Sequence, residues 1–380
     1  MRIGQFSDTF LPVVDGVGRV VSHYARELGR LGEDCFVITP RQDLKEREED
    51  YTIVNFSSLK VPGIPVYRFG LPGLSLAYRK AIGGIELDIV HAHSPFFAGR
   101  EALRIARKRK IPLVGTFHSK YYDDLYQITH SKALARLGLK YIVGFYERCD
   151  AVWTVSEGAA DVLRSYGYKG PIEVVRNGTD PSEADPAAIA EVSARFHLQD
   201  GPVLLYAGQL NWKKNIRRIL EAADVLKKQG RTFQVVLAGQ GPSERAIRAL
   251  SSALGLDGNI VYTGHISDQE LLKGLYARAD LFFFPSLYDT AGLVVAEAAA
   301  VGTPSLLAEG SSAAGAITDG FNGLLAEDTA EAMAIRVAWA LDHPEELAAI
   351  GRSARDTLPK PWSEVLHDVV KRYERLILGF

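Results

Sequence analysis

The chain has 380 residues, 47% hydrophobic and 24% charged, with a formal net charge of −2. A domain typically spans ~100–200 residues, so the length provides for two cores, and the composition excludes a disordered, collagen-like or disulfide-stapled protein. No apolar window approaches the ~18 residues that cross a bilayer, a near-neutral total disfavours nucleic acid as a partner, and two cysteines, Cys35 and Cys149, build no disulfide framework. The sequence enters a strand-like run at once, without a signal peptide, so a cytoplasmic protein is expected. Its charge is uneven. Residues 1–180 hold 25 basic and 21 acidic side chains, a net of +4, and residues 181–380 carry −6. Residues 100–148 alone hold 11 basic and 4 acidic side chains, a net of +7.

Short β-branched runs alternate with longer amphipathic ones. Strands are predicted at 2–6, 35–39, 88–92, 112–116, 151–155 and 173–175 in the first half. The second half offers strands at 203–206, 234–238, 260–263, 281–284 and 304–307, with helices at 216–229 and 243–254. Runs such as VLLYAG and LFFFPS are apolar almost throughout, as parallel strands covered on both faces require. Each half therefore reads as repeated βα units. The segment NGTDPSEADPAAIAE, with Asp180, Pro181, Asp185 and Pro186, divides them. The expectation is an α/β protein of two Rossmann-like domains, 1–180 and 181–360, facing one cleft. A helix at 362–378 within the segment 361–380 follows and returns to the first domain. Ligands of open α/β sheets bind beyond the carboxyl ends of strands.

Motifs sit at those strand ends. In SDTFLPVVDGVGRVV, Gly16 and Gly18 precede a segment of helical spacing, a turn that lets an anion approach backbone N–H groups. An ordinary βα turn has the same look, since the third glycine of the dinucleotide fingerprint is absent. His118 follows a buried-looking run in GTFHSKYYDD, and His91 and His93 end another strand in IVHAHSPFF. Without an acidic or cysteine companion at ligand spacing, the H-x-H pair favours structural or substrate-shaping roles over metal binding. In LLYAGQLNWKKNI, Lys213 and Lys214 face a helix start, where a cation opposes the dipole unless an anion joins it. Gly239 and Gly241 in LAGQGP leave room for backbone to approach a ligand. In FFFPSLYDTAGLVVAEAAAVGTP, Asp289 and Thr290 precede a helix starting near Gly292 and carrying Glu297. Helix N–H groups suit phosphate and carboxylates suit hydroxyls, so this motif fits a nucleotide sugar.

Taken together these motifs resemble the GT-B retaining glycosyltransferases of family 4, over nearly the whole chain. The likeness rests on FSDTFLPVVDGVGRVV, DIVHAHSPFFAG, GTFHSKYY, NGTD, YAGQLNWKKN, LAGQGP and SLYDTAGLVVAEAAAVGTP. The N-terminal set is most similar to members that glycosylate membrane lipids, such as diacylglycerol glucosyltransferases and phosphatidylinositol mannosyltransferases. The resemblance implies that Gly16 and Gly18 lie near the donor diphosphate and that His118 faces the donor sugar. Lys214 would neutralise the diphosphate, and Glu297 would bind the ribose hydroxyls. Backbone around Ala291, Gly292 and Leu293 would contact sugar and phosphate, and His265 and Ile266 would hold the base. Two departures stand out. Gln209 occupies a position that is normally arginine, which removes a bidentate phosphate contact. Asp289 replaces a glutamate and is one methylene shorter.

The resemblance implies transfer of a hexosyl group from a nucleoside-diphosphate sugar, a UDP-sugar above all, to a hydroxyl acceptor, by front-face displacement without an essential metal or other cofactor. No carboxylate pair suggests the double displacement of retaining glycosidases. The acceptor stays open between a membrane glycerolipid and a soluble molecule. RIARKRK at 104–110 and the mixed cationic and apolar run at 130–149 suit an anionic membrane surface, and so a peripheral protein on the inner face of the plasma membrane. They equally suit a core-facing helix with a solvated face. A nucleotide-sugar epimerase and a non-catalytic nucleotide-sugar binder are the competing readings.

Overall fold

The computed structural model describes residues 1–11, 16–40, 50–61 and 64–380. Residues 12–15 of the glycine-containing loop lie outside the described residues. The chain divides into two compact units: Met1–Gly178 with Trp362–Phe380, and Thr179–Pro361.

The first unit opens with β1 (Arg2–Phe6), α1 (Gly16–Arg30), β2 (Asp34–Pro40), β3 (Thr52–Phe56), β4 (Ser58–Val61) and β5 (Ile64–Gly70). It continues through α2 (Leu76–Gly84), β6 (Ile89–Ala92), α3 (Phe97–Arg109), β7 (Leu113–Phe117), α4 (Tyr122–Thr129) and α5 (Lys132–Tyr146). β8 (Ala151–Thr154), α6 (Glu157–Ser165) and β9 (Glu173–Val174) complete that run. Seven strands form one parallel sheet in the order β3-β2-β1-β6-β7-β8-β9, and β4 with β5 make a separate antiparallel hairpin. β6 and β7 are buried along their whole length, so IVHA and LVGTF show no alternation.

The second unit runs α7 (Pro186–Arg195), β10 (Val203–Ala207), α8 (Ile216–Lys228), β11 (Gln234–Ala238), α9 (Glu244–Ala253) and β12 (Ile260–Gly264). After these come α10 (Gln269–Arg278), β13 (Leu281–Phe284), α11 (Leu293–Ala300), β14 (Ser305–Ala308), β15 (Leu324–Ala326), α12 (Ala330–Asp342) and α13 (Pro344–Thr357). Its six strands are parallel in the order β12-β11-β10-β13-β14-β15. Asp185 caps α7 by accepting from the Ala187 amide at 2.8 Å, and Pro186 fills the first helical position, where no N–H is needed. The linker residues therefore start a helix.

α14 (Trp362–Leu378) closes the chain and belongs to the first unit. Its buried face is Trp362, Val365, Leu366, Val369 and Tyr373, spaced as one helical stripe. Trp362 stacks on His23 of α1 at 4.7 Å, and Tyr373 stacks on Trp153 of β8 at 5.6 Å. In both sheets the strand order reverses once, between β1 and β6 and between β10 and β13. Such switch points open a crevice at the carboxyl ends of the strands.

Candidate functional site

In the second unit, the segments after β10 and β13 meet at the switch point. Lys214 lies in a 3-10 turn, Trp212–Lys214, and its Nζ donates to Oδ1 of Asp289 at 2.5 Å. Both side chains are partly exposed, 17% and 24%. The Nζ atoms of Lys213 and Lys214 each stand 5.2 Å from the centre of the Tyr288 ring. The turn is held from behind. Asn215 adopts a left-handed conformation, φ 59°, and its amide donates to the Pro285 carbonyl at 3.1 Å and to Asp328 at 2.8 Å. Arg218 donates to the same Asp328 oxygen at 2.8 Å. Lys214 is thus fixed to the end of β13 through its neighbour.

Gly292 precedes α11 with φ 58°, and a Cβ there would stand 2.9 Å from Ala313, so glycine suits both backbone and space. Gly292, the residue preceding α11, has no side chain with which to cap it, and a helix N-terminus of this kind suits an anion. Thr290 is buried before it, and one turn in, Glu297 accepts from the Tyr276 hydroxyl at 3.2 Å. Gln209 has an exposed side chain, while its carbonyl accepts from buried Tyr206 at 3.0 Å. Gly239 and Gly241 also have a reason within the chain itself. A Cβ on Gly239 would stand 1.9 Å from the Gly208 carbonyl oxygen, and one on Gly241 2.5 Å from that of Leu210. They admit the neighbouring loop of the chain itself. His265 and Ile266 follow β12 directly, with His265 exposed.

In the first unit the switch point is occupied by a buried polar network. His93 Nε2 lies 2.7 Å from Oε1 of Gln5, and its Nδ1 lies 3.0 Å from Nε2 of His118. Gln5 Nε2 donates to the Tyr373 hydroxyl at 3.2 Å. His91 places Nδ1 2.6 Å from that hydroxyl and Nε2 2.6 Å from Oγ1 of Thr116. Burial pushes His118 down to about 3 and holds His91 and His93 well below the usual imidazole range, so all three are neutral near pH 7. His91 and His93 are structural, with every ring nitrogen engaged inside the protein.

Asp8 stands at the end of β1. Its Oδ2 accepts from Ser94 at 2.5 Å and its Oδ1 from the Ala98 amide at 3.0 Å. It caps α3, whose own preceding residue Phe96 offers no side-chain cap. Burial raises its carboxyl to about 6, against the pull of Ser94 and of the Ala98 and Phe97 amides. Gly16 and Gly18 lie inside the first turn of α1 rather than before it, with Gly18 buried.

The basic stretch at 104–110 is partly consumed by the fold. Arg104 grips buried Glu101 with two bonds, at 2.6 and 2.7 Å, and Arg109 donates to the carbonyls of Ile82 and Ile85. α5 differs. Lys132, Arg136 and Lys140 make one exposed row, and exposed Leu134, Leu137 and Tyr141 make the row beside it. Among the described residues, no helix is long and apolar enough to cross a membrane.

The motifs did not single out Gln5, Asp8, Tyr373, Asn215 or Asp328, although Asp8 and Asn215 stand inside two of them. Residues 14–183 match the family described as Glycosyltransferase Family 4, and residues 190–357 match Glycosyl transferases group 1. An alpha-monoglucosyldiacylglycerol synthase of Streptococcus pneumoniae is 32% identical over 317 residues, 80% of this chain and 70% of that protein. A GDP-mannose-dependent alpha-mannosyltransferase of Corynebacterium glutamicum is 26% identical, over 99% of this chain and 89% of its own. Among solved structures, Anabaena HepE in complex with UDP-glucose superposes with a TM-score of 0.80 at 16% identity, covering 99% of this chain and 100% of that one.

Proposed function

Because the chain belongs to glycosyltransferase family 4 and has the GT-B fold, we propose that it moves a hexosyl group from a UDP-sugar to a hydroxyl of a membrane glycerolipid, with retention. The observation that carries the donor half is the second switch point, where Lys214 meets Asp289 beside the start of α11, the helix that carries Glu297. Diphosphate would draw Lys214 from Asp289 and lie against the start of α11. That frees Asp289 for a sugar hydroxyl and leaves Glu297 for the ribose.

In the first unit, His118 would face the sugar as a neutral hydrogen-bonding group. In the displacement, the bond from the anomeric carbon to the diphosphate oxygen breaks as the acceptor oxygen bonds on the same face. The acceptor proton passes to the departing diphosphate. Lys214 and the α11 amides stabilise the charge growing on that leaving group, the kind of term that dominates such reactions. The reaction so drawn needs no metal ion. Turnover unaffected by EDTA is expected, and a loss reversed by divalent cation would overturn that part.

The lipid half rests on the diacylglycerol-directed name of the Streptococcus pneumoniae relative and on the exposed face of α5. Its lysine and arginine row meets anionic headgroups while Leu134, Leu137 and Tyr141 enter the interface. The protein would then lie peripherally on the inner face of the plasma membrane. Sedimentation with liposomes should rise with anionic lipid and fall with salt; indifference to both would defeat the membrane reading. Thermal-shift measurements with UDP-, GDP- and ADP-sugars test the donor, because a ligand that binds only the folded state raises the unfolding midpoint. A UDP-sugar should give the largest rise. A larger rise with GDP-mannose would reassign the nucleotide in line with the Corynebacterium glutamicum relative.

A further inference from the structure

The polar network of the first unit is a single chain of hydrogen bonds from the terminal helix to His118. A neutral imidazole donates from one ring nitrogen and accepts at the other. Gln5 Nε2 donates to Tyr373, so the phenolic proton is available for Nδ1 of His91. His91 then donates from Nε2 to Thr116. On the other side of Gln5, Oε1 accepts from Nε2–H of His93. Nδ1 of His93 is therefore an acceptor, and the proton between it and His118 belongs to Nε2 of His118. Every bond takes its direction from one amide. Rotating that amide by half a turn would reverse them all and move the His118 proton to Nδ1.

We propose that Tyr373, on α14, is a positioning residue for His118: through Gln5 and His93 it holds His118 as the tautomer protonated on Nε2. The hydroxyl of Tyr373 can accept from Gln5 and donate to His91 at once, which a phenylalanine cannot. That the tautomer governs turnover rests on the reading of His118 as the group facing the donor sugar. The tautomer itself does not.

The test uses the full chain labelled with 15N-histidine, the His118 ring nitrogens being assigned by their loss in His118→Gln. Wild type should show His118 protonated on Nε2 alone. Tyr373→Phe keeps the ring stacked on Trp153 but removes the hydroxyl, so Gln5 takes both orientations and His118 becomes a mixture of tautomers. kcat should fall about 10-fold, the scale of a small misplacement at a reacting centre. Gln5→Leu breaks the same chain at its middle and should give the same loss. The double variant should lose no more than either single, because both act through one path. Wild-type His118 protonated on Nδ1, an unchanged tautomer and kcat in Tyr373→Phe, or additive losses in the double variant would each overturn the proposal. If Tyr373→Phe fails to fold, Gln5→Leu alone carries the same two readouts. Near-normal turnover in His118→Ala would instead defeat the sugar-facing role and leave the ring-nitrogen result to stand by itself.

Discussion

The two switch points solve opposite problems with opposite materials. In the second unit the crevice holds a cation and carboxylates, Lys214, Asp289 and Glu297, that keep contact with solvent. In the first unit it holds imidazoles, an amide and hydroxyls, buried and neutral. Charged groups in a partly wet site can exchange one partner for another at small cost, which suits a diphosphate that must arrive and leave. A buried neutral network cannot give up a bond without leaving an unsatisfied group, at about 1–3 kcal/mol, which suits holding one ring in one orientation. The same topology thus supplies one partly wet, charged crevice and one dry, neutral one.

Removing Lys214 should do the most. Lys214→Ala leaves the leaving diphosphate without its cation, and turnover should drop by about 10³-fold, the scale of one lost electrostatic stabiliser. A loss of tenfold or less would mean that the second unit does not stabilise charge in this way. His118→Ala should cost about 10²-fold in turnover, through lost positioning, and should lower the unfolding midpoint, since buried His93 loses a partner; a variant as active as wild type would make the first unit's network purely structural. Glu297→Ala should weaken donor binding about 10-fold, one hydrogen bond to a charged group, which calorimetry with the nucleotide sugar would show. Unchanged donor affinity would remove Glu297 from the ribose.

The smallest effect per step is in acid, and it separates the units. His118 has its folded value near 3 against an ordinary 6.5. The unfolded chain therefore takes up protons that the folded chain refuses, and stability, full above pH 6.5, is lost as pH falls toward 3. Each such histidine contributes about 1.4 kcal/mol per pH unit. Asp8 works the other way. Its value near 6 exceeds the ordinary 3.8, so its contribution is full below 3.8 and is lost as pH rises through 6. Asp8→Asn should therefore steepen the acid decline between pH 4 and 6, and His118→Gln should flatten it. Trp153 and Trp362 report on the first unit and Trp212 and Trp339 on the second, so chemical unfolding followed by fluorescence of single-tryptophan variants would show whether the decline is confined to the first.

What the sequence made legible was local. VLLYAG and LFFFPS read as buried parallel strands because no polar residue interrupts them. Asp289, Gly292 and Glu297 read as a helix-terminal site because strand, glycine and helix follow within a few residues. Partners brought together from afar were not legible. Asn215 and Asp328 are 113 residues apart, and His91 and Tyr373 are 282. Nothing in WSEVLHDVVKRYERLIL says that its tyrosine meets a histidine of β6. The strands β3 and β15 and the β4–β5 hairpin escaped as well, although β3 and β5 are as long as strands that were read. Gly239 and Gly241 were visible as glycines, but only geometry shows that the approaching backbone is the chain's own.

The return of α14 to the first unit has a consequence for how the protein is made. Synthesis runs from the N-terminal side, so residues 1–178 emerge before the helix that completes their unit. Trp153 lacks the ring that covers it, His23 lacks Trp362, and the histidine chain lacks its terminal hydroxyl. The whole of the second unit must be translated before those places are filled. The nascent first unit therefore waits with an open seam until α14 is made.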